Sequence, residues 1–351
     1  MNKWYENVDH TSDIFISSRI RFARNLKDFN FAPRLSGEAA DALVNQVKGI
    51  LPKLKEMDPT KRFYACDVSE LSDLDKNAMV EKHIISPEFA AKKQHTALIL
   101  SEDESISIMI NEEDHIRIQV MQSGMNLGEA LMQANAIDDL MNETFQYAFD
   151  EKLGYLSACP SNVGTGMRAS YMVFLPALTK ANRMVQLVEE VSKYGITIRG
   201  MYGENSKSMG GIYQISNLKT LGFSEKELIE NLNRIVEQIV AQEKKRRVYL
   251  LSSNYDEVED ALNRSYGILK YAKSISTKEA MELLADVKFG MDCGILKPMD
   301  TANIFRLMMA IRPSSLQWKL SKNIGKVMRD RMRAEYIRNH LPEIEEEETT
   351  S

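Results

Sequence analysis

Cysteine is scarce in this 351-residue chain: three residues, Cys66, Cys159 and Cys293, far apart and odd in number. That argues against a disulfide framework and for reduced thiols in a cytoplasm. No Cys/His cluster has the spacing of a zinc site. No apolar run reaches the roughly 18 residues of a membrane-spanning helix, so no membrane span is expected. Residues 1–10 are polar and lack the apolar core of a secretory signal. An excess of positive charge is missing too. The 45 Lys and Arg stand against 50 Asp and Glu, a net charge of −5 that gives no general pull toward nucleic acid. Neither a Walker A loop nor the glycine-loop set of the protein kinases occurs. Internal repeats and low-complexity linkers are absent.

What is present is an ordinary globular composition, 44% hydrophobic and 27% charged, on a length that suits two domains. Its densest chemistry is the stretch 159–168, CPSNVGTGMR. Two glycines there, Gly164 and Gly166, give the backbone angles closed to other residues and let a ligand approach the main chain. Arg168 ends the run with a planar fork of donors suited to phosphate. A tight turn with Cys159 as a small apolar filler is the plainer reading.

Other arginines arrive in similar settings. Ile14 and Ile16 alternate as in a strand, and Arg19 and Arg21 then share one face. Two adjacent guanidinium groups repel unless an anion lies between them, although a polar surface strand also fits. Residues 96–100, 105–110 and 115–120 read as strands. The last two are separated by Asn111-Glu112-Glu113-Asp114, and Arg117 follows. The three carboxylates suit either a solvated hairpin turn or a seat for a cationic substrate. Arg199 stands where a strand enters the polar loop Gly200-Met201-Tyr202-Gly203-Glu204.

Helical spacing predicts helices over 36–51 (stopped by Pro52), 69–85, 126–150, 176–193 and 224–247. His83, at the end of the second, reads as a core histidine. From 255 onward every pattern is helical: 256–271, 277–289, 300–312, and one helix from about Ser314 to His340. On that last helix Arg329 and Arg333 lie one turn apart, with Asp330 beside them, in the manner of a solvated face. The fold expected is α+β, with an all-helical C-terminal part. Five arginines at strand ends (Arg19, Arg21, Arg117, Arg168, Arg199) would together cradle three to four negative charges, as on a nucleoside triphosphate with its magnesium.

Ser17-Ser18-Arg19-Ile20-Arg21, Asn111–Arg117, Cys159–Arg168 and Arg199-Gly200 together resemble the phosphagen (guanidino) kinases, in the family's order. The resemblance implies a mainly antiparallel sheet flanked by helices. It also implies ATP with Mg2+ carried on its phosphates rather than by a metal site of the protein. Nucleotide contacts are implied for Ser17, Ser18, Arg19, Ile20, Arg21, His83, Arg117, Arg168, Ala169, Ser170, Tyr171, Met172, Arg199, Gly200, Met201, Tyr202, Gly203 and Glu204. Catalytic roles are implied for Glu113, with Glu112 as the weaker candidate, and for Glu204 and Cys159.

Two departures narrow the likeness. The first arginine pair comes at residue 19, leaving no room for the helical N-terminal domain that closes over small guanidines. Tyr202-Gly203-Glu204 also replaces a glycine-rich sequence. The full length resembles the bacterial branch that phosphorylates arginine side chains of proteins. In that branch Arg329-Asp330-Arg331-Met332-Arg333-Ala334 matches a phosphoarginine pocket carried by Arg329, Asp330, Arg333 and Ala334. The expected division is a catalytic domain over 1–254, a helical phosphoarginine-binding and dimerisation domain over 255–341, and a disordered acidic tail over 342–351. The implied partners are arginine-containing protein substrates including a heat-shock repressor, a zinc-finger activator protein, a Clp ATPase/protease and a second copy of the chain. Neither direct nucleic-acid binding nor a membrane is expected. The competing readings are a phosphagen kinase of free arginine or another small guanidine and a catalytically silent adaptor that binds phosphoarginine.

Overall fold

A computed structural model describes residues 3–6, 13–201 and 208–345. The chain opens with β1 (Phe15–Arg24), α1 (Gly37–Lys48) and α2 (Leu51–Met57). Ser36 accepts the Ala39 N–H and so starts α1. The helix expected over 36–51 is two helices. Gly49 ends the first, and Pro52 lies in the first turn of the second, where its missing N–H costs nothing. Next come β2 (Phe63–Asp67), α3 (Asp73–Glu81) and α4 (Pro87–Ala91). The strands β3 (Ala97–Ser101), β4 (Ile106–Ile110) and β5 (Ile116–Ser123) then lead into α5 (Leu127–Thr144).

α5 stops at Thr144 rather than 150, because the chain turns into the small hairpin β6 (Phe149–Asp150) and β7 (Gly154–Tyr155). After β8 (Met167–Phe174) the expected helix 176–193 is again two, α6 (Pro176–Lys180) and α7 (Met184–Ser192). Asn182, with φ 53°, breaks the helical run between them. β9 (Ile196–Gly200) and β10 (Ile212–Asn217) follow. The later elements are α8 (Glu225–Ser253), α9 (Tyr255–Tyr271), α10 (Thr277–Asp292), α11 (Ile304–Ala310), α12 (Pro313–Lys319) and α13 (Lys326–His340). The single helix expected from Ser314 to His340 is thus α12 and α13, parted at Ser321 with φ 49°. No helix among the described residues is long and apolar enough to cross a membrane.

Eight strands form a sheet in the order β2-β3-β4-β5-β1-β8-β10-β9. The run from β2 through β3, β4 and β5 to β1 is antiparallel at each step. By contacts the chain falls into two units. The first runs up to Met172 and adds Val191–Thr197 and Ile215–Ile235; the second holds Val173–Glu190, Ile198–Gln214 and everything from Val236. The border expected at 254/255 lies inside the second unit, where Asn254 alone separates α8 from α9.

In the first unit the pleat sorts side chains cleanly. Ile20 and Phe22 on β1, Ile108 on β4, and Ile116, Ile118 and Val120 on β5 are fully buried on one face, which α5 covers. On the other face Leu98, Leu100 and Met109 pack with Val68, Ile84, Ile85 and Phe89 from the α3–α4 region. Arg19, Arg21 and Arg117 share that second face. In the second unit α10 packs on α9 and α11, and α13 on α9 and α12. Arg333 of α13, 0% exposed, is the tie within this bundle. It donates to the carbonyls of Ile311 (2.9 Å) and Ile275 (3.0 Å) and to Asp330 Oδ1 (2.5 Å).

Candidate active site

Strand register brings the arginines together. Arg19 lies opposite Met121, Arg21 opposite Gln119 and Ala23 opposite Arg117, so Arg117 is the diagonal neighbour of Arg21 on the same face. Arg168 enters from β8, which pairs with β1 on its other side. Arg19 Nε donates to Ser170 Oγ of that strand at 3.3 Å. Burial and the positive fields of Arg168 and Arg117 lower the Arg19 pKa from its ordinary value to about 10. Arg21 is pushed down well below its ordinary value by burial and then by Arg19, Arg117 and Arg168, against which Glu112 pulls weakly upward. Its Nε is buried with no hydrogen-bond partner. Four guanidinium groups held against mutual repulsion, one with an orphaned donor, fit a polyanion such as a triphosphate.

The acidic hairpin beside them resolves into three different carboxylates. Asn111, at φ 63°, turns the chain, and its N–H bonds the His115 carbonyl at 2.7 Å, closing a loop over 112–114. Glu112, its side chain 2% exposed, accepts from Arg117 Nη1 (2.6 Å), Ser86 Oγ (2.6 Å) and the Glu113 N–H (2.6 Å). Asp114 is fully buried and accepts from Asn25 Nδ2 (2.6 Å), Ala158 N–H (2.9 Å), Ser157 Oγ (2.8 Å) and Asn162 Nδ2 (3.2 Å). Glu113 alone faces out, 44% exposed, with Oε2 3.1 Å from Arg117 Nη2 and 3.4 Å from Asn162 Nδ2. Only this carboxylate can meet a substrate directly.

Asp114 also ties the hairpin to the Cys159 loop. Cys159 N–H donates to Ser157 Oγ (3.1 Å), and its Sγ lies 3.1 Å from Ser161 Oγ. The loop is pinned at its base by Tyr155 and Gly164, whose backbones exchange hydrogen bonds. Gly164 (φ 111°) and Gly166 (φ 62°) are glycines of necessity: a Cβ would lie 2.4 Å from the Thr220 carbonyl oxygen at the first and 2.6 Å from Arg24 Nη1 at the second.

A family description, ATP:guanido phosphotransferase, C-terminal catalytic domain, matches residues 42–246. The chain belongs to that family. A second description, the protein-arginine kinase McsB C-terminal domain, matches residues 255–351. The protein-arginine kinase of Halothermothrix orenii is 42% identical over 97% of this chain and 97% of its own. That of Halalkalibacterium halodurans is 43% identical over 97% and 95%. Among solved structures, lombricine kinase superimposes with TM-score 0.56 at 26% identity, covering 66% of this chain and 67% of that enzyme. A duplicated taurocyamine kinase from Schistosoma mansoni, solved with transition-state analogue components, gives TM-score 0.58 at 26% identity, over 78% of this chain and 42% of that one.

In this ATP:guanido phosphotransferase the remaining candidate residues fall in several places. His83 is half-buried at φ 61°, in the turn after α3, and its carbonyl accepts from Gln119 Nε2 at 2.8 Å on the arginine face. It is not a core side chain. Ser17, Ser170 and Met172 follow the alternation of the arginine face. Ser18, Ile20, Ala169 and Tyr171 point to the opposite one: Ser18 Oγ bonds the Gly124 carbonyl, and Tyr171 Oη bonds Asn233 Oδ1 at 2.7 Å. These four offer the arginine face only their strand backbone.

Arg199, exposed, and Gly200 and Met201 belong to the second unit. Tyr202, Gly203 and Glu204 lie outside the described residues. Arg329, Asp330, Arg333 and Ala334 are on α13, where Arg333 and Ala334 are buried rather than on a solvated face. Arg329 Nε is buried without a hydrogen-bond partner.

Sequence reasoning passed over Asn25, Ser86, Lys92 and Asn162, which position the carboxylates. Lys92 Nζ donates to the Glu112 carbonyl (2.6 Å) and to Asn111 Oδ1 (3.0 Å). Asn162 lies inside the 159–168 run but carries no mark of this role there, and nothing in the local sequence of the other three marks them; only the closure of the loops does.

Proposed function

We propose that this chain is an ATP-dependent protein-arginine kinase, transferring the γ-phosphoryl group of ATP to arginine side chains of proteins. The observation that carries this is the juxtaposition, in one compact unit, of four mutually repelling guanidinium groups and one outward-facing carboxylate. Arg19, Arg21, Arg117 and Arg168 hold the phosphates and neutralise charge as it spreads over the transferred group. Magnesium, bound to the nucleotide, supplies further neutralisation.

Glu113 accepts the planar acceptor guanidinium by hydrogen bonds and takes its proton as the N–P bond forms and the bond from phosphorus to the ADP oxygen breaks. Such a base is needed because the guanidinium is otherwise protonated at any physiological pH. Cys159 stands on the loop tied to Glu113 through Asp114 and Asn162, where a thiolate would favour the cation from a second side. Arg199 adds to the phosphate site, His83 meets the base, and Glu204 is the second acceptor carboxylate.

The helical region 255–341 is proposed to bind phosphoarginine. Arg329, with its buried Nε lacking a partner, is the group set to meet a phosphate there; Arg333, already committed to three acceptors, anchors the pocket through Asp330. Asp330→Ala should therefore weaken phosphoarginine binding about tenfold and lower the melting temperature, while transfer to a protein acceptor stays within twofold. Calorimetric titration with free phosphoarginine checks this, and native affinity in the variant would remove the pocket from α13. The same reading assigns the chain to a cytoplasmic stress response. It works as a homodimer on a heat-shock repressor and other substrates, assisted by a zinc-finger activator, and its products go to a Clp protease.

The direct test is transfer of labelled phosphate from ATP, comparing an unfolded arginine-containing protein with free arginine. Acid-labile label on the protein alone is the expected result. Label on free arginine instead would move the assignment to a small-guanidine kinase.

A further inference from the structure

Another arginine of the first unit takes no part in the cage, and its surroundings show another use. Arg24, the last residue of β1, follows the alternation of Ser18, Ile20 and Phe22 and so lies on the face opposite Arg19 and Arg21. It is 1% exposed and fully occupied. Nε and Nη2 grip Asp138 of α5 in a fork, at 3.0 Å and 2.7 Å to Oδ2. Its guanidinium carbon stacks 3.6 Å from the ring centre of Tyr155 on β7. The remaining nitrogen, Nη1, donates to two carbonyls, Ala23 at 3.0 Å and Thr165 at 2.9 Å. Tyr147 Oη completes the Asp138 carboxylate at 3.0 Å.

The Thr165 contact matters for function. Thr165 and Gly166 are the turn between the Cys159 loop and the start of β8, two residues ahead of Arg168. Gly166 is pressed so closely on Arg24 that any side chain would collide with Nη1, and its carbonyl accepts the Ala23 N–H at 2.9 Å. Tyr155, under the guanidinium, is the residue whose backbone pins the other side of the same loop at Gly164. One buried cation therefore touches both ends of the segment 155–166, and α5 holds that cation in place.

We propose that Arg24 is a positioning residue for nucleotide binding: it fixes the Thr165–Gly166 turn so that Arg168 enters the phosphate cage in register with Arg19 and Arg21. This rests on the proposed kinase function for the identity of the nucleotide, not for the geometry. A lysine in its place can still pair with Asp138 but has no planar fork to reach the turn as well. Gly166→Ala strikes the same turn from its own side, its Cβ pressing on Arg24 Nη1 and the Ala23 carbonyl and leaving in place both Asp138 and the Nε and Nη2 donors that grip it. Asp138→Asn weakens the ion pair and leaves the donor to Thr165.

The experiment measures ATP affinity by calorimetry, KM for ATP and kcat in the full chain, with melting temperatures alongside. Arg24→Lys and Gly166→Ala should each raise both Kd and KM for ATP about tenfold with kcat within about threefold. Asp138→Asn should melt earlier and keep the native KM. Native ATP affinity in Gly166→Ala, or an equal loss of affinity in Asp138→Asn, would reduce Arg24 to a purely structural buried ion pair. Should Arg24→Lys fail to fold, Gly166→Ala against Asp138→Asn decides by the same criterion. Binding without transfer by the native chain would count against the kinase function and leave the test of Arg24 intact.

Discussion

Glu113→Gln lowers kcat for phosphoryl transfer about a thousandfold, the middle of the range for a positioned general base, and leaves ATP binding at least as tight as in the native enzyme. The second half follows from the geometry. Glu113 Oε2 lies 3.1 Å from Arg117 Nη2, so the carboxylate competes with phosphate for that guanidinium. Neutralising it releases the arginine to the nucleotide. The substitution keeps the shape and the Asn162 contact, and at 44% exposure it leaves no buried group unpaired. Stability should change by less than about 0.5 kcal/mol. Single-turnover transfer to an unfolded protein, with ATP titrated separately, separates the two effects. Loss of ATP binding in step with transfer would place Glu113 in the phosphate site instead and leave the acceptor without its base.

The neighbouring carboxylates should behave differently under the same change, which makes the series diagnostic. Glu112→Gln weakens the bond to Arg117 and the one to Ser86 inside a site 2% exposed, so it should reduce ATP affinity and stability together. Asp114→Asn disturbs a buried carboxylate that gathers Asn25, Ser157, Ala158 and Asn162. Three consecutive acidic residues thus do three jobs, and their letters in the sequence are nearly alike.

That is where legibility ended. Period-two alternation was enough to place Arg19 and Arg21 on one face, and the alternation over 115–120 correctly gave β5. The arginine motifs carried the α+β class and the family. Loop closure was not readable: Asp114 reaches residues 89 and 43 or more positions away in sequence, through side chains common anywhere in a loop. Helix breaks were missed where a non-glycine residue adopts positive φ, at Asn182 and Ser321, since neither Asn nor Ser is a strong stop signal in an amphipathic run. Arg333 shows the converse. Its spacing from Arg329 suggested a solvated face, yet it is buried against the carbonyls of Ile275, just before α10, and Ile311, just after α11, which no property of α13 alone reveals.

Arg21→Met should stabilise the free enzyme and cripple it. In the free state the Arg21 guanidinium has a buried, unpartnered Nε and three cationic neighbours that push its pKa well below the ordinary value. Methionine fills much of the same stem volume with none of these liabilities. Relieving one unsatisfied buried donor is worth about 1 kcal/mol, or roughly 2–4 °C in melting temperature for a domain of this size. ATP affinity should fall about a hundredfold, the loss of one or two charge-assisted hydrogen bonds to phosphate. The two effects oppose each other through linkage. At an ATP concentration a hundred times the native Kd, binding stabilises the native enzyme by about 2.7 kcal/mol and the variant by only about 0.4. The order of melting temperatures must therefore invert: variant above native without ATP, native above variant with it. A variant less stable than native in both conditions would mean that Arg21 is held by favourable contacts in the free state. The arginine cluster would then be a settled structural network, not a charge site kept strained for a polyanion.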